Sequence, residues 1–236
     1  MTRVAIIAAM SAELKPLTRG WRHSRSNGVD LWRSDKDEWV AACAGAGVAA
    51  ATLAFAEVEK LSPVTTVIST GWAGALREEL VPGQAYDVSC VIDAKTGERF
   101  LTSCIAKGTD ALKGHLIELW LVTSPKVADA AEKQRLASTY EAALVDMEAV
   151  AVARLARMRD IPFYCIKGIS DGYSDQLPDF NRFISKDGQF QLLRFMVFVI
   201  PRPWYWPALI RMGENSRKAA RAIAASLLDL LDERGH

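Results

Sequence analysis

The stretch Val145–Asp171, reading VDMEAVAVARLARMRDIPFYCIKGISD, carries the residues best suited to chemistry. It places carboxylates just past two short apolar runs. Ala142-Ala143-Leu144-Val145 leads into Asp146-Met147-Glu148, and Pro162–Ile169 leads into Ser170-Asp171. In a parallel α/β sheet, both groups emerge at the carboxyl edge, where such sheets bind ligands. A protonated carboxyl there can act as a general acid, and an ionised one can accept hydrogen bonds from hydroxyls. The plainer roles are local. Asp171 also suits a helix N-cap, and Glu148 suits the first turn of a helix, where it complements the dipole. Ser170 either orients Asp171 or is an ordinary turn serine.

The elements that must position these groups alternate along the chain. Val4–Ala9 reads as a buried strand, followed by a short helix from Ser11. Leu31–Trp32 and Trp39–Ala42 read as paired strands, and Gly45-Ala46-Gly47 opens an alanine-rich helix over Val48–Leu61. Val64–Ser69 reads as a strand with Thr70-Gly71-Trp72-Ala73-Gly74 as its turn. Ala85–Ile92 and Phe100–Ile105 read as strands around a turn at Lys95-Thr96-Gly97. Leu116–Val122 reads as a strand and Lys126–Ser138 as a helix. Met147–Arg159 is helical by the spacing of Ala151, Leu155 and Met158. Ser216–Glu233 is helical by an apolar stripe including Ile223, Leu227 and Leu231. This alternation predicts a single α/β domain over residues 1–236 with a mixed, mostly parallel sheet.

Composition narrows the partners. With 236 residues and half of them hydrophobic, the chain is long enough for a large buried core. A net charge of +1 gives no bulk electrostatic case for nucleic acid. Cys43, Cys90, Cys104 and Cys165 form no paired motif and read as isolated buried thiols in a reducing compartment. His23, His115 and His236 lack a metal-binding spacing. The apolar start MTRVAIIAAM meets Glu13 and Lys15 at once, so it reads as a strand rather than a signal peptide. Phe195–Ile210 is broken by Pro201, Arg202, Pro203 and Pro207, which argues against an integral membrane span. A cytoplasmic protein is expected.

Four blocks in order resemble the purine nucleoside phosphorylase superfamily, nearest its methylthioadenosine/S-adenosylhomocysteine nucleosidase branch. They are VAIIAAMSAE (Val4–Glu13), AGAGVAAA (Ala44–Ala51), STGWAGAL (Ser69–Leu76) and Val145–Asp171. A weaker match, DFNRF at Asp179–Phe183, falls where those enzymes start a late helix. The resemblance implies a three-layer α/β sandwich with a twisted mixed sheet flanked by helices. It also implies a homo-oligomer, usually a dimer, and cleavage of a ribosyl N-glycosidic bond without metal or organic cofactor. It gives Asp171 the part of general acid on the purine, oriented by Ser170. Glu148 would accept from the ribose hydroxyls, Met147 would pack on the sugar, and Glu13 would position a nucleophilic water. Glu13 also suits support of a helix start near Ser11, though the spacing is one short of the usual capping box. Gly71, Trp72 and Phe180 join the substrate-binding set, glycines letting backbone approach a ligand.

The pattern also departs from that family. In the STGWAGAL block, phosphorylases carry an arginine at the position of Ser69 and a serine at that of Trp72. Without them the phosphate site is expected to be lost or filled, leaving water as acceptor. The alternative is that Trp72 points into the core and phosphate binds through Arg22, Arg25 or Arg33. A third reading is a nucleoside-binding protein without turnover. The run around Trp204, Tyr205 and Trp206 is not part of the ordinary pattern. It suits either burial in a core or dimer contact, or a greasy 5′-substituent on the nucleoside.

Overall fold

The computed structural model describes residues 3–35, 38–103, 119–175, 177–185 and 190–234. Cys104, His115, His236 and the expected strand ends at Ile105 and Leu116 lie outside them.

The first strand explains the layering. All five residues of β1 (Val4–Ala8) are buried. Because strand side chains alternate, Ala5 and Ile7 face one side and Val4, Ile6 and Ala8 the other. The first pair joins a core with Ala54, Phe55 and Val58 of α2 (Val48–Glu59) and Val152 and Ala156 of α4 (Ala149–Arg159). The second set packs on Leu14 of α1 (Ser11–Leu14) and on Ile223, Leu227 and Leu231 of α6 (Trp206–Arg234). One sheet thus lies between helices on both faces, the expected three-layer α/β sandwich.

The remaining strands are β2 (Arg22–Ser26), β3 (Val29–Arg33), β4 (Trp39–Cys43), β5 (Thr66–Ala75), β6 (Ala85–Asp87), β7 (Cys90–Asp93), β8 (Arg99–Leu101), β9 (Trp120–Thr123), β10 (Leu144–Asp146) and β11 (Phe163–Asp171). Helices α3 (Ala130–Tyr140) and α5 (Leu192–Val199) complete the set. The main path runs β2-β3-β4-β1-β5-β10-β9-β7-β8, with β11 on β5 and β6 on β11. The sheet is mixed, but not mostly parallel. β1 pairs parallel with β4 and β5, β5 with β11, and β9 with β7 and β10. The hairpin pairings β2–β3, β3–β4 and β7–β8, together with β5–β10 and β6–β11, are antiparallel.

Several expected boundaries move. Thr70–Gly74 is not a turn, because β5 continues through it to Ala75. Gly71 there has φ of +118°, a backbone conformation suited to glycine. Ala85–Ile92 is two strands, and β6 and β7 have different partners. The helix expected from Lys126 starts at Ala130, where the Asp129 side chain accepts from the Glu132 amide at 2.9 Å. In α4 the expected stripe holds at Ala151, which is buried, and at Leu155, which packs against the core, and fails at Met158. Met158 is 78% exposed, and small residues such as Ala149, Ala153 and Ala156 face the sheet. DFNRF forms one 3-10 turn, Phe180–Phe183, rather than starting a long helix. The last helix begins at Trp206, ten residues before the expected start. Cys43, Cys90 and Cys165 are buried and none is in a disulfide.

Candidate active site

The site forms where the sheet opens. On one edge of β5, Thr66–Ser69 pair with β1, and Gly74–Ala75 pair with β10. Between these pairings the Trp72 amide meets a side chain, donating to Glu13 Oε1 at 2.8 Å. Glu13 Oε2 accepts from the amides of Ala9 and Met10 at 2.9 and 2.7 Å. The N-cap is therefore Met10, the helix starts at Ser11, and Glu13 sits at its third helical position. That is capping-box spacing, so the carboxylate closes the helix start and faces the cleft together. Gly71 makes this possible. A Cβ there would lie 2.8 Å from Glu13 Oε1.

Glu148 is freed for the cleft by its neighbours. Asp146 Oδ2 accepts from the Ala149 amide at 2.9 Å, and Thr123 Oγ1 accepts from the Val150 amide at 3.1 Å. Those two residues satisfy the first amides of α4. Glu148 Oε1 instead accepts from the Gly47 amide at 2.7 Å, across the cleft from its own helix. Gly47 has φ of +95° and precedes α2, so the glycine turn aims that amide.

Asp171 ends β11, and the described residues directly after it, Gly172–Asp175, form no helix for it to cap. The register of β11 on β5 shifts between Ile169 and Asp171, a bulge of the kind that re-aims side chains beside sites. Ser170 Oγ donates to Asp171 Oδ1 at 2.6 Å. The other oxygen accepts from Lys133 Nζ of α3, which also donates to the Gly172 carbonyl at 2.7 Å. Both members of this ion pair are buried.

Beneath the carboxylates lies Lys167, fully buried, with Nζ 2.9 Å from Asp146 Oδ2 and donating to the Thr70 carbonyl at 3.0 Å. Burial opposes its charge, but Asp146, Cys165 and Glu148 together hold its pKa above the ordinary lysine value. Burial raises the pKa of Glu13 against the lowering pull of the Trp72, Met10 and Ala9 amides and of Lys167. Glu148 is also raised, first by burial and then by the charge of Asp146.

The carboxylates above Lys167 line one cleft of about 600 Å³. Glu13, Trp72, Met147, Glu148, Ser170, Asp171 and Phe180 all line it, and Gly71 lies behind Glu13. The indole of Trp72 gives its one donor to the Ser216 carbonyl of α6 at 3.0 Å. Ser69 is fully buried and does not line the cleft. Of the three arginines considered for phosphate, Arg25 lines it and Arg22 and Arg33 do not. Sequence reasoning missed Lys133, Asp146 and Lys167. Lys167 had a signal: a charge inside the otherwise apolar strand Phe163–Ile169 needs a buried partner. Among the described residues, no His, Cys, Asp and Glu cluster has the geometry to hold a metal ion.

The family model described as the phosphorylase superfamily matches residues 119–191, bearing out the resemblance read from the motifs. No curated protein matches the chain in sequence. Among solved structures, it is similar to 5′-methylthioadenosine/S-adenosylhomocysteine nucleosidase of Helicobacter pylori, at 17% identity over 99% of both chains with a TM-score of 0.69. Futalosine hydrolase of the same organism is similar at 18% identity over 98% of both chains, TM-score 0.70. So is 5′-methylthioadenosine nucleosidase of Arabidopsis thaliana, at 18% identity over 98% of this chain and 95% of that one, TM-score 0.70. At such identities these likenesses establish the fold.

Proposed function

We propose that this chain is an enzyme that cleaves the N-glycosidic bond of a purine nucleoside, with adenine the favoured base and water the nucleophile. Breaking that bond leaves positive charge on the ribose and negative charge on the departing base. Asp171 takes up a proton from solvent before the reaction and gives it to the base, a step of the kind that contributes about 10²–10⁴-fold, which leaves the carboxylate that pairs with Lys133 in this structure. Lys133 then faces the carboxylate that remains, and Ser170 holds its other oxygen. Glu148 accepts hydrogen bonds from the ribose hydroxyls and sets a negative charge near the oxocarbenium-like sugar. Glu13 holds the attacking water and accepts the proton that water loses as it bonds to the anomeric carbon. Met147 packs on the sugar, while Phe180 and Trp72 bound the cleft, Trp72 without a donor left for phosphate.

The observation that carries this reading is the convergence of Glu13, Glu148 and Asp171 on one cleft, each held by donors from elsewhere in the chain. The names of the similar structures, two methylthioadenosine-cleaving nucleosidases and a futalosine hydrolase, support the reaction class. A homodimer in the cytoplasm follows the same resemblance.

Arg25 in the cleft wall favours a second reading, phosphorolysis with inorganic phosphate. One experiment separates the two. Free base is measured by chromatography from methylthioadenosine, S-adenosylhomocysteine, adenosine and inosine, each with and without phosphate. Hydrolysis predicts release without phosphate, lost in Asp171→Asn. Release only with phosphate, with ribose 1-phosphate formed, refutes it. Tight nucleoside binding with no base release identifies a binding protein instead.

A further inference from the structure

Apart from the exposed Arg194, helix α5 is apolar on every side. Phe195 and Val199 are buried against Phe183, while Leu193, Met196, Val197 and Ile200 face outward. Leu193 is 83% exposed and Val197 75% exposed. A helix apolar all round belongs inside a protein or against lipid. The outward surface continues through Trp204 and into α6 at Ile210, both exposed. Among the described residues no helix is long and apolar enough to cross a membrane, so a span is not the explanation.

The charges say what covers this surface. From Phe190 to Gly213 the sequence has Arg194, Arg202 and Arg211 and no acidic residue. Arg194 and Arg202 share a shallow depression of about 550 Å³ with Leu193, Val197, Phe183 and Phe198. Cations and exposed apolar side chains thus line one concavity, the pairing an anionic amphiphile needs. A second copy fits poorly. A two-fold contact would bring together two patches that each carry these arginines, with no acid in the segment to offset them. Tryptophan and tyrosine beside such a patch suit the headgroup level of a bilayer.

We infer that α5 and the first turns of α6 dock this protein on the surface of an anionic lipid bilayer, lying in the interface without crossing it. Docking there sets the cleft near the bilayer, because Phe180, Phe190 and Met212 of the same region line its wall. The inference holds whatever reaction the cleft carries out.

The test is co-sedimentation of the full chain with phosphatidylcholine vesicles, with and without phosphatidylglycerol. Binding is expected to the anionic vesicles and to be at least about tenfold weaker without phosphatidylglycerol or at high salt. The double variant Leu193→Asp, Val197→Asp removes it, and Arg194→Gln with Arg202→Gln weakens it. Both double variants keep wild-type base release from a soluble nucleoside, because none of the four residues lines the cleft. No sedimentation with anionic vesicles at low salt overturns the inference. So does conversion of a dimer to a monomer by the aspartate variant in light scattering without lipid, which assigns the surface to a second copy.

Discussion

Gly71→Ala is the sharpest test of how Glu13 is held. The substitution sets a Cβ 2.8 Å from Glu13 Oε1 and 2.9 Å from its carboxyl carbon. It also forces alanine to a φ of +118°. The backbone strain alone costs about 1–3 kcal/mol. For a chain of this size that lowers Tm by about 2–12 °C. The carboxylate must then move off the Trp72 amide, and a shift of about 1 Å at a catalytic group costs about 10²-fold in rate. The assay is base release, measured in wild type, Gly71→Ala, Glu13→Gln and the double variant. If Gly71 acts through Glu13, the alanine costs little further activity once Glu13 is already Gln, within about threefold. An alanine variant with normal activity, or a full additional 10²-fold loss in the Glu13→Gln background, refutes the reasoning.

Three other outcomes follow from the same geometry. Lys133→Met leaves Asp171 buried without its cation and should cost about 3–5 kcal/mol in urea unfolding, with base release lowered at least about tenfold. Glu148 has a raised pKa, so the folded state binds its proton more tightly than the unfolded chain does. The stability this provides is complete below the ordinary carboxylate range and is lost as pH rises through the raised pKa. Glu148→Gln should therefore flatten the fall of Tm with rising pH and be the more stable protein at neutral pH, by on the order of 1–2 kcal/mol. Its kcat/KM falls meanwhile, by about tenfold or more, for loss of a charged acceptor. Because Glu13 is also raised, the acid limb of the kcat/KM profile should lie above the ordinary carboxylate range, read from base release across pH.

The segment from Val145 to Asp171 was legible because its pattern switches cleanly from strand to helix to strand. The carboxylates there fall at the switches. The central strand β5 was not, because Gly71 and Gly74 are ordinary turn signals. They serve here as room for Glu13 and for the Asp171–Lys133 pair, and only the folded neighbours reveal that. Lys133 carried no signal of its own. On α3 it stands beside Gln134 and Arg135, and only the docking of that helix distinguishes it from solvated residues. Glu13 was legible as a helix-start acid and, by resemblance, as a site residue. Sequence offered these as rivals, whereas the geometry makes them one hydrogen-bonding arrangement.

That arrangement makes the cleft readable by NMR of the nitrogen-15-enriched protein, with no probe attached to any side chain. The main-chain amides of Ala9, Met10 and Trp72 all end on the Glu13 carboxylate, and that of Gly47 ends on Glu148. Their nitrogen and proton resonances report the charge of each carboxylate separately. A nucleoside entering the cleft competes for the same oxygens and shifts those four signals while signals from β8, away from the cleft, stay in place.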